Sequence, residues 1–131
     1  MWILDKEIKR NPLPAAIIIV ESNFRPFLIR ILEYFYFYIC LYLRKERAMR
    51  ISLGISQMQY RFWLEYFDYS YSNSKISKCF EDPLINYNLV EWYINKYHYE
   101  NLLDVSQVYT GKKNIYYSKK LLEVINQLKV G

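Results

Sequence analysis

Leu13 to Val20 is a stretch of eight residues without a polar side chain, and it ends on a carboxylate, Glu21. Pro14 suits a first helical turn, where the missing N–H is no loss. The residues behind it (Ala15, Ala16, Ile17, Ile18, Ile19, Val20) are apolar on every side, which predicts a helix buried all round at the centre of a fold. A carboxylate at the end of such a helix must be paired, protonated or functional, because an unpaired buried charge is costly. Apolar surroundings raise a carboxyl pKa and leave a proton to give near neutral pH, as a glycosidic general acid requires. The plainer alternatives are a helix-end Glu turned to solvent, or one paired with Arg25 or Arg30.

The rest of the chain predicts a mainly α fold with little or no β-sheet. Only 3 Gly and 4 Pro punctuate 131 residues, and no strand-like alternation persists. That length suits a single domain with one hydrophobic core. A short helix is expected over Asp5–Arg10, stopped by Asn11-Pro12, and a third from about Pro26 to Arg47. Leu28, Ile31, Leu32, Phe35, Ile39 and Tyr42 recur at helical spacing on that third helix and are expected to form one face, broadened by Tyr34, Tyr36, Phe37 and Tyr38. A turn-like segment with room for a short extended piece covers Arg50–Gln57, and an aromatic helix or loop covers Met58–Phe67. Asp68–Lys78 reads as an exposed loop. Helices are expected over Pro83–Tyr97, Asn101–Tyr109 and Tyr116–Lys129, the last facing Leu121, Leu122, Val124, Ile125 and Leu128 inward.

Composition narrows the chemistry. Cys40 and Cys79 stand far apart without metal-ligand spacing, and His98 is the lone histidine, so no metal or other cofactor is expected. Cys40 falls in an apolar helix pattern and is expected as a buried thiol. The net charge of +5 favours a polyanionic partner. The cations are scattered apart from Arg44-Lys45 with Arg47 and Arg50, and Lys112-Lys113, too thin for a nucleic-acid arm, and no nucleic-acid partner is expected. The apolar surface Tyr34–Leu43, flanked by basic residues, is a candidate for peripheral membrane or protein contact. Arg30 and Glu33 interrupt the longer run from Phe27, leaving about half of the roughly 20 residues a spanning helix needs. No clear signal peptide precedes it. Aromatic residues make up 19% of the chain, suiting both a core and a ligand-stacking cleft.

Four segments, in order, carry a family resemblance. Glu21-Ser22-Asn23-Phe24-Arg25-Pro26 resembles the Glu-Ser-x-Phe-x-Pro segment of the soluble lytic transglycosylases, in the lysozyme-like superfamily that also holds goose-type lysozymes. Ser52-Leu53-Gly54-Ile55-Ser56-Gln57-Met58-Gln59 resembles that family's Gly-Leu-Met-Gln segment. Asp82-Pro83-Leu84-Ile85-Asn86 is similar to its Asp-Pro-x-x-Asn-Ile stretch, and Val108-Tyr109-Thr110-Gly111 to its Ala-Tyr-Asn-Ala-Gly segment, one residue shorter. The chain departs from the pattern in Ser56 for Met, Thr110 for Asn, and an added aromatic helix at about 27–48.

The resemblance implies a lysozyme-like domain acting on peptidoglycan glycan strands in the periplasm, the cell envelope or outside the cell. It implies Glu21 as general acid and base at the β-1,4 bond between N-acetylmuramic acid and N-acetylglucosamine, with a 1,6-anhydro product. Ser22, Gln57, Gln59 and Tyr109 would meet the substrate, Gln57 lining the cleft and Tyr109 facing Glu21. Glu33 is a candidate second carboxylate if water attacks instead, as in a muramidase; its alternative is a pair with Arg30 or a solvent-facing place. Asp82 is expected at a helix N-terminus. Tyr60, Trp63 and Tyr66 are weighed between stacking on sugar and packing in the core. The rival readings are a glycan-binding module without catalysis and a membrane-surface or protein-interaction domain.

Overall fold

A computed structural model describes residues 4–97 and 101–130, which leaves His98 outside the described residues. Helix α1 (Asp5–Arg10) stops at Asn11, whose extended backbone leads into Pro12. Helix α2 (Leu13–Phe24) carries Pro14 in its first turn and ends ahead of Pro26. Helix α3 (Phe27–Leu43) is followed by a single turn, α4 (Lys45–Ala48). Strands β1 (Ser52–Leu53) and β2 (Met58–Gln59) form a two-stranded antiparallel ribbon in the register Ser52–Gln59 and Leu53–Met58. Then come α5 (Tyr60–Tyr66), α6 (Asn73–Ser77), α7 (Pro83–Tyr97), α8 (Leu102–Thr110) and α9 (Ile115–Val130). The fold is mainly α.

Local sequence explains most of these bounds. The Asp82 carboxylate accepts from the Ile85 N–H at 3.0 Å, so it caps α7 as expected. Asn101 does the same for α8, accepting from Asp104 N–H at 2.9 Å, and Gly111 closes that helix in a left-handed conformation. At α9 the Asn114 side chain accepts from Tyr117 N–H at 3.0 Å.

Helix α2 is the axis of the domain, packed by α9 and α7, while α8 lies on α9. Its two sides serve two cores. Ala16, Ile17 and Val20 join Leu89, Val90, Leu121 and Ile125 in the larger cluster. Ala15 and Ile18 join Leu4, Ile8, Ile55 and Tyr87 in the smaller. Burial on both sides is why this helix tolerates no polar residue before Glu21. Much of the aromatic content interlocks in the larger core: Phe37 meets Tyr60 with ring centroids 4.5 Å apart, and Trp63 meets Phe80 edge-on at 5.2 Å. Tyr60 and Trp63 are fully buried, and Tyr66 packs on Trp92, so all three are packing residues. Cys40 is buried beside them.

Four expectations are corrected. The third helix ends at Leu43 rather than near Arg47; Arg44 leaves helical geometry, which lets α4 swing Ala48 into the core. Leu28, Leu32, Phe35, Ile39 and Tyr42 face outward, whereas Arg30, Phe37 and Cys40 face in. A helix apolar on nearly all sides gives no periodic signal of which side is covered, and the inward side was chosen by partners for Arg30 far along the chain. The expected loop Asp68–Lys78 contains α6, capped by Ser72, which accepts from Lys75 N–H at 3.2 Å, and anchored by buried Ile76. Leu122 is half exposed, lying on the outer side of α9.

Candidate functional site

The ribbon turn between β1 and β2 is held in one shape from below. Asn86, fully buried on α7, accepts from the Ser56 hydroxyl at 2.7 Å and from Ser56 N–H at 3.3 Å. Its amide donates to the carbonyls of Phe80 at 3.0 Å and Asp82 at 2.7 Å. Gly54 has a φ of +84°, and a Cβ there would lie 2.7 Å from the Phe80 carbonyl, so only glycine fits. The segments Ser52–Gln59 and Asp82–Asn86 thus form one clamp. It presents Gln57, whose own φ is +54°, a strained conformation for a non-glycine residue.

This clamp forms one wall of a cavity of about 910 Å3. Across from it, the end of α2 supplies Glu21, α3 supplies Glu33, and α8 and α9 supply Tyr109, Tyr116, Tyr117 and Lys120. Five of the six expected site residues meet there: Glu21, Glu33, Gln57, Gln59 and Tyr109. Ser22 does not line the cavity; its hydroxyl turns back and donates to the Ile19 carbonyl at 3.2 Å, an ordinary helical back-bond.

Glu21 is only 8% exposed. Burial pushes its carboxyl pKa up to about 7, against the smaller opposing effects of the Tyr117 hydrogen bond and the Arg25 charge. Tyr117 donates its hydroxyl to Glu21 Oε1 at 3.1 Å. Burial, and after it the nearby Glu21 carboxyl, push the Tyr117 hydroxyl far above the ordinary tyrosine range, so it remains a donor. Tyr109 stacks on Tyr117, with ring planes 12° apart and centroids at 6.1 Å. Helices α2 and α9 therefore meet at the Glu21 carboxyl, with Tyr109 of α8 packed on the Tyr117 ring.

The expected ion-pair alternatives for Glu21 and Glu33 are not what forms. Arg30 is committed elsewhere: its Nε donates to Glu81 at 2.9 Å and its Nη2 at 2.6 Å, while Nη1 donates to the Arg25 carbonyl at 2.7 Å. Tyr34 also donates to Glu81. Glu33 instead accepts from the Gln57 amide at 3.3 Å, with Arg25 Nε 3.9 Å away. Burial raises the Glu33 pKa too, partly offset by Gln57 and Arg25. Gln59 accepts from Arg61 Nε at 2.8 Å.

Sequence reasoning missed Tyr117 as the hydrogen-bond donor to Glu21, although the tyrosine pair Tyr116-Tyr117 opening the last helix was its signal. Arg61, Phe62, Tyr93 and Lys120 on the cavity wall, and Glu81 behind α3, carried no local signal at all. The chain matches no family model, no curated protein and no solved structure.

Proposed function

We propose that the chain cleaves the glycan strands of peptidoglycan as a lytic transglycosylase, with Glu21 as the general acid and then the base. The observation that carries this reading is a buried carboxyl, its pKa pushed up to about 7, hydrogen-bonded by Tyr117 in the wall of a cavity large enough for sugar rings.

In this reading Glu21 gives its proton to the oxygen bridging N-acetylmuramic acid and N-acetylglucosamine as that bond breaks. The N-acetyl oxygen of the muramic acid closes on its C1, which removes the need for an enzyme nucleophile. The Glu21 carboxylate then takes the proton from the sugar's 6-hydroxyl, whose oxygen attacks C1, displaces the N-acetyl oxygen to restore the acetamide, and closes the 1,6-anhydro ring. Tyr117 stabilises the carboxylate between the two transfers by its hydrogen bond. Gln57, Gln59 and Tyr109 line the cavity where the acetamides would lie. Arg25, Arg61 and Lys120 on its wall suit the carboxylates of the peptide stems, or of lactyl groups that carry no stem.

Glu33 supports a second reading, a muramidase, because it is a second carboxyl on the same cavity. Digestion of purified peptidoglycan by the wild type and by Glu21→Gln, read by mass spectrometry, separates them. The reading expects anhydro-muropeptides from the wild type alone. Reducing-end products transfer the assignment to a muramidase, and equal release by both proteins removes Glu21 from the chemistry.

A further inference from the structure

Helix α3 has its polarity reversed. Its two charged residues, Arg30 and Glu33, face the domain, where Glu81 and Gln57 engage them. Its solvent side has none. Leu28 is 75% exposed, Phe35 67% and Tyr42 89%, and Leu32, Ile39 and Leu43 continue the strip between them. At about 1.5 Å per residue the 17 residues extend for about 25 Å. Phe27 in the first turn is also exposed, and Tyr36 and Tyr38 flank the strip. An apolar surface of this extent is unusual on a protein that water alone surrounds.

The charges around the strip indicate what covers it. At its C-terminal end Arg44, Lys45, Arg47 and Arg50 line a recess of about 740 Å3 with Glu46 and Ile51. Arg25, more than half exposed, stands at the other end. A second copy laid on this face would bring cations together in either direction: cluster against cluster if parallel, cluster against Arg25 if antiparallel. An anionic lipid surface meets both features at once, its acyl boundary taking the apolar strip and its phosphates the recess. Tyrosines at the flank, with apolar rings and polar tips, suit the headgroup level. Among the described residues no helix is long and apolar enough to cross a membrane, so α3 would lie along the surface.

We propose that the outward face of α3 and the basic recess at its end form a docking site for an anionic lipid bilayer, with the helix in the plane of the headgroups. The site begins at Leu28 rather than Tyr34, which turns inward to Glu81. The strip from Leu28 to Leu43 and the recess lined by Arg44 to Ile51 share no residue with the glycan cavity except Glu33 on the helix's inner side, so the site stands independently of the glycan-cleaving reading.

Co-sedimentation with vesicles tests it, using phosphatidylcholine alone and phosphatidylcholine with phosphatidylglycerol. The wild type is expected to pellet with the anionic vesicles at least tenfold more strongly than with neutral ones. Arg44→Ala and Arg47→Ala each weaken that binding about fivefold, and salt weakens it further. Phe35→Ser with Ile39→Ser reduces it more than tenfold without lowering the melting temperature, since both side chains are exposed. Absence of wild-type binding to anionic vesicles, or binding that survives the serine pair, overturns the proposal. So does a dimer in sedimentation velocity that the serine pair dissolves, which assigns the face to a second copy.

Discussion

Helices α2 and α3 are equally apolar on average, yet one is the most enclosed element of the domain and the other lies open along one whole side. The difference lies in where their charged groups go. Glu21 sits at the end of α2, so eight residues can be enclosed before a polar atom needs accommodation. In α3 the charges fall in the first half, and Arg30 finds Glu81 on the inner side. That pairing turns the apolar side outward. Both segments are apolar helices; the placement of one or two charges decided which side of each meets the domain.

The contrast can be broken most sharply at Glu21. Its replacement by Gln is expected to lower peptidoglycan cleavage by about 10²- to 10⁴-fold, the usual loss when a general acid goes, measured as muropeptide release. The matching change on α3, Glu33→Gln, is expected to leave anhydro-product formation within about tenfold of wild type; a loss as large as that at Glu21 gives both carboxyls a share in the chemistry.

Stability should divide the helices as clearly. Ile17→Ala removes a fully buried side chain from the larger core, and is expected to cost about 2–5 kcal/mol in urea denaturation. Ile39→Ala on the outer side of α3, 56% exposed, should stay within about 0.5 kcal/mol. Equal losses would mean that the outer side of α3 is covered within the domain itself.

The pH dependence of stability sharpens the account of Glu21. Its pKa is raised on folding, from an ordinary 4.5 to about 7, so the native state holds the proton more tightly than the unfolded one. The stabilising contribution is whole below about pH 4.5 and is lost as pH rises towards 7; the span corresponds to about 3 kcal/mol. Thermal melts across that range should show this decline in the wild type and a flatter profile in Glu21→Gln. Glu33 contributes in the same direction and to a smaller extent, being partly open to solvent.

Much of this arrangement was legible in the chain because it is local. Asn11, Pro14, Asp82, Asn101 and Gly111 mark helix ends by chemistry confined to a few residues, and the end of α1, the starts of α2 and α7 and both ends of α8 follow from them. The gathering of Glu21, Gln57, Gln59 and Tyr109 was legible only through motif order, since the residues come from α2, the ribbon and α8. What stayed hidden depends on distant partners. Arg30 and Glu81 are 51 positions apart, and nothing near either one announces the other. Tyr117 and Glu21 are 96 apart. Ser22 shows the opposite failure: a motif position beside the acid, whose hydroxyl is spent on its own helix.

The claim on which the rest depends is that α2 carries a carboxyl that keeps its proton near neutral pH. Carbon-13 NMR titration of the glutamate side-chain carboxyls, in the wild type and in Glu21→Gln, measures this directly. One resonance titrating near pH 7 in the wild type and missing from the variant is the predicted result. If every glutamate that titrates does so below about pH 5 in both proteins, Glu21 is an ordinary ionised carboxylate and the acid at the centre of the site is lost.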